Sequence, residues 1–254
     1  MRPIDRRAEI AALVERRGEQ SVETLAQAFA VSAETIRRDL ARLATDGVLR
    51  KVHGGARPLA RLHVEPSFQD RMAEDPEAKA AIAAKLVPEI GAGDTIMIDT
   101  GSTTLIAAEA MAGIRGLSVI TNSLAIASSF GRRAAEDETQ VFLLGGSYAA
   151  GNHQTVGAAA LAQLDLYRAD HAIVTVAALA PDIGAMDSNV AEAEIARAMI
   201  ARAQNVIVLA TASKFGRRAA FRVCGFDEID VLVTERPPEA SLADALGEAG
   251  VTIR

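Results

Sequence analysis

The feature that most constrains this chain is a series of short apolar runs: TIMI (95–98), LSVIT (117–121), VFLL (141–144), AIVTV (172–176), VIVL (206–209) and VLVT (231–234). Alanine-rich helical stretches separate most of them. Strands that are apolar throughout need cover on both faces, and strands alternating with helices predict a parallel sheet with helices on either side. Residues 78–254 are therefore expected to form a larger α/β domain with a mainly parallel sheet. Ligands of such sheets bind beyond the carboxyl ends of the strands.

Those ends carry polar residues. TIMI runs into DTGSTT, LSVI into TNS, VFLL into GGS and VIVL into ATASKFG. In DTGSTT a strand leads through Gly101, which allows close backbone approach, to the hydroxyls of Ser102, Thr103 and Thr104 at a helix amino terminus. Free N–H groups there make an anion cradle. Lys214, just after another strand, can reach the same anion as a point charge. The same residues also suit a plain strand-to-helix turn, and TNS a plain helix cap. Their convergence on one sheet edge favours a ligand.

The first 57 residues read differently. Asp5 is expected to cap a helix with Ile10, Leu13 and Val14 on one face and a stop at Gly18. Ser21 caps a second helix with Leu25, Ala26 and Phe29 inward. Ser32 caps a third, in which Ile36, Leu40 and Leu43 share a buried face. Only Ala30 and Val31 separate the last two, which forces the tight turn of a helix-turn-helix. VLRKVHGGA then alternates β-formers with bases around a Gly-Gly pair, the pattern of a hairpin wing. With Ile36, Leu40 and Leu43 inside, Thr35, Arg38 and Arg42 point outward and Arg37 lies at the flank. Ser32, Thr35, Arg37, Arg38 and Arg42 are thus placed to meet bases and phosphates in a major groove, and Arg50, Lys51 and His53 on the wing to meet neighbouring phosphates.

Charge supports this division. Residues 1–58 hold 11 Lys/Arg against 8 Asp/Glu, net +3, whereas the remainder holds 16 against 25, net −9. A basic arm for an anionic polymer joined to an acidic body fits that asymmetry. Residues 58–77, with three prolines and no period, read as a linker between the two domains. Cys224 is the only cysteine, so no internal disulfide is possible and a reducing cytoplasm is expected. No signal peptide and no membrane span are expected from the sequence. The four histidines are scattered and Cys224 has no second thiol, so neither a metal nor a cofactor is expected. A phosphate loop of the G-x-x-x-x-G-K-[ST] type is missing, which argues against an ATP-dependent regulator.

VSAETIRRDLARLATDGVLRKVHGGA resembles the signature of the DeoR family of bacterial transcriptional regulators, and D-T-G-S-T-T, T-N-S, L-L-G-G, E-A-E-I-A-R-A-M-I and S-K-F-G-R resemble the successive signatures of that family's sensor domain. The resemblance implies that Ser32, Thr35, Arg37 and Arg38 belong to a recognition helix. It implies a sensor similar in fold to ribose-5-phosphate isomerase and glucosamine-6-phosphate deaminase, with a phosphorylated sugar or polyol as effector. By the same carry-over Asp99 and Glu192 accept sugar hydroxyls, Gly101, Ser102, Thr103 and Lys214 hold the phosphate, and Asn122 lines the cleft. One stretch departs from the family pattern: AALAPDIGAMDSNV follows AIVTV, and Ala177, Ala178 and Leu179 are expected to make the sugar-facing wall less polar.

The rival expectation is a sugar-phosphate isomerase or deaminase fused to a DNA reader. That chemistry needs a general base set against an acid or electrophile. Glu192 could be the base, but APDIGAMDSNV in front of it lacks the lysine an isomerase-like pattern supplies. The sequence is therefore read as a winged helix-turn-helix plus an α/β sensor without enzymatic activity. The expected function is that of a repressor of a carbohydrate or polyol catabolic operon. It is expected to bind operator DNA as a homo-oligomer, a dimer or tetramer, and to be released by the effector.

Overall fold

The computed structural model describes residues 1–58, 62–132 and 138–254. The chain divides into two compact units, Met1–Arg61 and Leu62–Arg254.

In the first unit helix α1 spans Pro3–Arg17. Its cap is Arg2 and not Asp5: the proline sets the first turn, and Asp5 sits within that turn, paired with Arg2 at 2.7 Å. There the carboxylate acts on the helix dipole. The other two expected caps hold. Ser21 accepts the Thr24 N–H (3.0 Å) at the start of α2, Val22–Phe29, and Ser32 accepts the Thr35 N–H (3.2 Å) at the start of α3, Ala33–Thr45. Ala30, left-handed at φ 52°, closes α2 and makes the tight turn. Strands β2 (Leu49–Val52) and β3 (Gly55–Pro58) pair antiparallel as the wing. A third strand, β1 (Gln20–Ser21), pairs with β3. Gly55 permits that approach, because a Cβ there would fall 2.3 Å from the Gln20 carbonyl oxygen.

The core of this unit is Ile10, Val14, Val22, Leu25, Ile36, Leu40, Leu43, Leu49 and Ala56. One charge enters it. Asp39 of α3 is buried and accepts from Arg6 Nε of α1 at 2.6 Å, with side-chain exposures of 6% and 11%.

The second unit is built on a seven-stranded sheet. Its strands are β4 (Thr95–Ile98), β5 (Ser118–Thr121), β6 (Gln140–Leu143), β9 (Ala169–Thr175), β12 (Ala203–Leu209), β14 (Val231–Val233) and β15 (Thr252–Ile253), in the order β15-β14-β12-β9-β4-β5-β6. Every neighbouring pair is parallel. Alternate residues face opposite ways, and both faces are covered except at the edge strand β6, where Phe142 and Leu143 are exposed. Ile96, Ile98, Val119, Ile173 and Leu209 pack with residues of α5 (Pro76–Leu86), α6 (Ser102–Met111) and α7 (Leu124–Gly131). Met97, Ile120 and Ala172 pack with α8 (Ala158–Leu164) and with Ile195 and Met199 of α9 (Val190–Ile200). Val206, Val208 and Leu232 pack with Ala193 and Ala196 of α9 and with Leu242 and Leu246 of α10 (Ala240–Glu248).

A small antiparallel sheet joins β10 (Ala178–Ala180), β11 (Gly184–Asp187) and β13 (Phe221–Cys224). This corrects one expectation. Ala177, Ala178 and Leu179 are fully buried, with Leu179 packed in the core beside Val174 and Val223, and they form no wall of a cleft. Their apolar character follows from pairing with β11 and from that packing.

Strands β7 (Ser147–Ala149) and β8 (Gln154–Val156) pair antiparallel as a separate hairpin. The stretch read as a linker is also more structured than a connection. Its residues 59–61 lie outside the described ones, but from Leu62 onward it belongs to the second unit. Ser67 caps the short helix α4, Phe68–Ala73, and Phe68 is buried with its ring edge-on to His153 (centroids 6.3 Å apart) and under Arg71 (5.7 Å). An apolar anchor and a buried guanidinium fix this segment.

Candidate functional site

Two sets of candidate side chains stand out, one in each unit. On α3, Arg38 is 81% exposed, Arg42 65% and Arg37 55%. Each is paired with a surface acid, Glu34 for Arg37 and Arg38 and Asp46 for Arg42, at 3.2–3.7 Å. Exposed pairs of this kind contribute at most about 1 kcal/mol, so the arginines can exchange these partners for phosphates. The third charge of the RRD triplet points the other way: Asp39 is the buried partner of Arg6. Arg50, Lys51 and His53 are exposed on the wing. Ser32 and Thr35 are bonded to each other, hydroxyl to hydroxyl at 2.9 Å, besides the cap itself. The helix start is thus pre-formed, with the arginines beyond it.

In the second unit an open cleft lies where β9 and β12 end and α6 begins. It is lined by Ser102 and Thr103 of α6, Thr175 and Val176, Thr211, Ser213 and Lys214, and on the other side by Glu65, Arg71 and Lys79. Gly101 precedes α6 in extended conformation, and no side chain caps this helix. Its first N–H groups are left for another acceptor. Glycine is required here by space: a Cβ would fall 2.5 Å from Thr175 Oγ1 and 3.0 Å from Thr104 Oγ1.

Of the residues singled out from sequence, Ser102, Thr103 and Lys214 line the cleft. Thr104 is fully buried and donates to the Gly101 carbonyl at 3.1 Å, which shapes the turn. Asn122 is buried and donates to Gln154 Oε1 (3.0 Å) and the Thr155 carbonyl (3.1 Å) while accepting from the Thr100 hydroxyl (3.3 Å). Asp99 accepts the Thr175 N–H through both oxygens, at 3.2 and 3.0 Å, which ties the end of β4 to the end of β9. Glu192 Oε1 accepts from Asn152 (2.5 Å) and from Gln154 (2.9 Å).

Three carboxylates crowd this region. Burial pushes Asp99 well above the usual range, with the charges of Asp187 and Glu192 adding to it against the Thr175 N–H bond. Burial, then the Glu192 charge, raises Asp187 to about 7. Burial also raises Glu192, opposed by Arg71 and by the Asn152 and Gln154 bonds. Carboxyl oxygens accept hydrogen bonds from hydroxyls, which suits the group to hydroxyl-rich molecules. Among the described residues no group of His, Cys, Asp and Glu is arranged to hold a metal ion.

Sequence reasoning assigned no ligand role to Glu65, Arg71, Lys79 or Asp187. Arg71 is only 9% exposed at its side chain. Its terminal nitrogens bond to Glu65 and, at 3.1 Å, to Asn152 Oδ1, while its buried Nε has no partner among the described residues. Lys214 bonds to the other oxygen of Glu65. Lys79 is buried and donates to the Arg71 and Glu74 carbonyls, and burial lowers its pKa. The Asp-Arg pair after Phe68 carried the available signal for Arg71; Glu65 sits in an aperiodic stretch and gave none.

Comparison with known proteins bears on both units. The family model of the DeoR-like helix-turn-helix domain matches residues 6–61, and that of the DeoR C terminal sensor domain matches residues 74–236. The chain is 30% identical over 246 residues to the glycerol-3-phosphate regulon repressor of Escherichia coli (strain K12), covering 97% of this chain and 96% of that one. It is 30% identical over 253 residues to the HTH-type transcriptional regulator GlpR of Haloferax volcanii, covering 100% and 98%. It is 29% identical over 220 residues to the HTH-type transcriptional regulator IolR of Bacillus subtilis (strain 168), covering 87% and 86%. Among solved structures, D-ribose-5-phosphate isomerase in complex with phospho-erythronic acid gives a TM-score of 0.40 at 17% identity, covering 55% of this chain and 54% of that one. These full-length relatives are named as regulators and repressors, and no helix among the described residues is long and apolar enough to cross a membrane. A basic helix-turn-helix with its arginines outward, a sheet-edge cleft and family matches to both parts lead to one assignment: the chain belongs to the DeoR family of transcriptional regulators.

Proposed function

We propose that this protein represses a carbohydrate or polyol catabolic operon and leaves its operator when a phosphorylated sugar or polyol enters the cleft. The observation that carries the effector class is the arrangement in the second unit. Lys214, Arg71 with its unpartnered Nε and the uncapped start of α6 supply an anion site, and the carboxyls of Asp99, Asp187 and Glu192 lie near it. A ligand with one phosphate end and one hydroxyl-bearing end matches both. In this reading Ser102, Thr103, Lys214 and the Gly101 turn hold the phosphate. Asp99 and Glu192 receive hydroxyls, and Asn122 keeps Gln154, and through it Glu192, in place.

In the first unit Arg37, Arg38 and Arg42 on α3 enter the major groove, and Arg50, Lys51 and His53 hold flanking phosphates. Operators with repeated half-sites are read by two copies or more, which makes the active form a homo-oligomer. The relatives named for a glycerol-3-phosphate regulon support a small phosphorylated effector.

A thermal-shift screen of the full chain against phosphorylated sugars and polyols tests the effector class. A true effector at 100 times its dissociation constant adds about 2.7 kcal/mol of stability. Lys214→Ala should abolish that response while the variant still retards the DNA fragments that the wild type selects from its genome. A response unchanged in Lys214→Ala, or a preference for unphosphorylated sugars, refutes the assignment.

A further inference from the structure

Between the wing and α4 the chain makes a short strap, residues 62–67, whose side chains do opposite things. His63 is anchored: its N–H donates to the Arg218 carbonyl at 2.6 Å, and its ring lies 3.3 Å from an Arg217 nitrogen. Ser67 is anchored as the cap of α4. Val64 is 81% exposed, without packing to hold it. Glu65, only 10% exposed, dips into the cleft and divides its two oxygens between Arg71 and Lys214. These are the two cations that an incoming phosphate needs.

We propose that Glu65 is an internal competitor for the effector's anionic group: its carboxylate occupies the anion position between Arg71 and Lys214, and effector binding expels it and releases the strap. This rests on the phosphate reading above and adds the means by which occupancy is transmitted. A carboxylate offers two oxygens and one charge, and it leaves Arg71 Nε without a partner. A phosphate offers three free oxygens and close to two charges, so it can replace both of Glu65's bonds and also satisfy that nitrogen. Both anions would bond the same nitrogens of Arg71 and Lys214, so the two occupants compete for one position. With His63 and Ser67 held, expulsion of Glu65 must bend the strap between them. Residues 59–61 then join the strap to β3 of the wing, so the moved element is the one through which the DNA-binding unit is attached.

The consequence is quantitative. Effector affinity is reduced by the fraction of chains whose strap is open, so a strap closed nine-tenths of the time masks about tenfold in affinity. Glu65→Gln keeps the shape and removes the charge, and Glu65→Ala serves where the amide bonds in place. Inorganic phosphate is titrated calorimetrically into the full chain and each variant. In parallel, an environment-sensitive dye is placed on Val64→Cys; Cys224 is buried with its thiol pushed up to about 12, and does not compete for the label. The expected result is phosphate binding at least about tenfold tighter in Glu65→Gln than in wild type. The dye signal should shift on phosphate addition in the wild-type background and already be shifted, without phosphate, in Glu65→Gln. Equal phosphate affinity in both proteins with an unmoved dye overturns the competitor and leaves the phosphate cleft standing. Failure of phosphate to bind either protein overturns both.

Discussion

Asp187→Asn exchanges one carboxyl oxygen for an amide nitrogen at the end of β11 and leaves an acceptor for the Asn189 N–H, now at 2.8 Å. What it removes is the ionisation of a group that burial and the Glu192 charge raise from 3.8 to about 7. Because the folded value is the higher one, the native state holds a proton between about pH 4 and 7 that the unfolded chain has released. Stability therefore falls as pH rises through that window, and the loss is complete above about 7. At 1.36 kcal/mol per pH unit this amounts to about 4 kcal/mol, an upper value because the neighbours relax. Asp99 and Glu192 are raised too and add to the fall with the same sign. The variant should match the wild type near pH 4 and exceed it at pH 8. The chain contains no tryptophan, so scanning calorimetry is the suitable assay, and it separates the transitions of the two units. For a unit of this size the difference at pH 8 corresponds to a rise in Tm on the order of 10 °C. If both proteins lose the same stability between pH 5 and 8, Asp187 titrates as an ordinary surface acid and the reasoning about the carboxyl cluster is refuted.

Two further outcomes concern the first unit. Arg38→Ala removes an exposed side chain, so stability should stay within about 0.5 kcal/mol while operator affinity falls by about 1–3 kcal/mol if Arg38 reads a base; if it meets a phosphate, the loss is uniform across sequences and the salt dependence flattens. Retardation titrations at two salt concentrations decide between these, and an unchanged affinity removes Arg38 from the interface. Asp39→Ala leaves Arg6 buried without its partner, at a cost of about 3–5 kcal/mol. The calorimetric transition of the first unit should drop, with DNA binding lost and the effector response of the second unit kept; wild-type DNA affinity would show that Arg6 finds water instead.

What the sequence disclosed follows from which physical signals are local. Strands buried on both faces leave unbroken apolar runs, so β4, β9 and β12 are visible in TIMI, AIVTV and VIVL. A helix with one buried stripe leaves the Ile36, Leu40, Leu43 spacing, and that stripe also includes position 39. Asp39 falls three residues after Ile36 and four before Leu43, on the buried face, so a buried charge with a basic partner was implied. The strands β1 and β15 are two residues each and exist only because a distant strand lends them hydrogen bonds. No local pattern encodes that.

The strap is the sharper case. Glu65 meets Lys214 across 149 positions, and Arg71 meets Asn152 across 81. Proline and the lack of a period mark residues 58–77 as irregular backbone, which on sequence alone reads as a connection. The two are physically distinct. A segment without helix or strand can still be fixed by one buried aromatic and two ion pairs, as Phe68, Arg71 and Glu65 show. Such fixation differs in kind from packing: ion pairs in an open cleft are the contacts that another anion can exchange, whereas an apolar core is not exchangeable for a small metabolite.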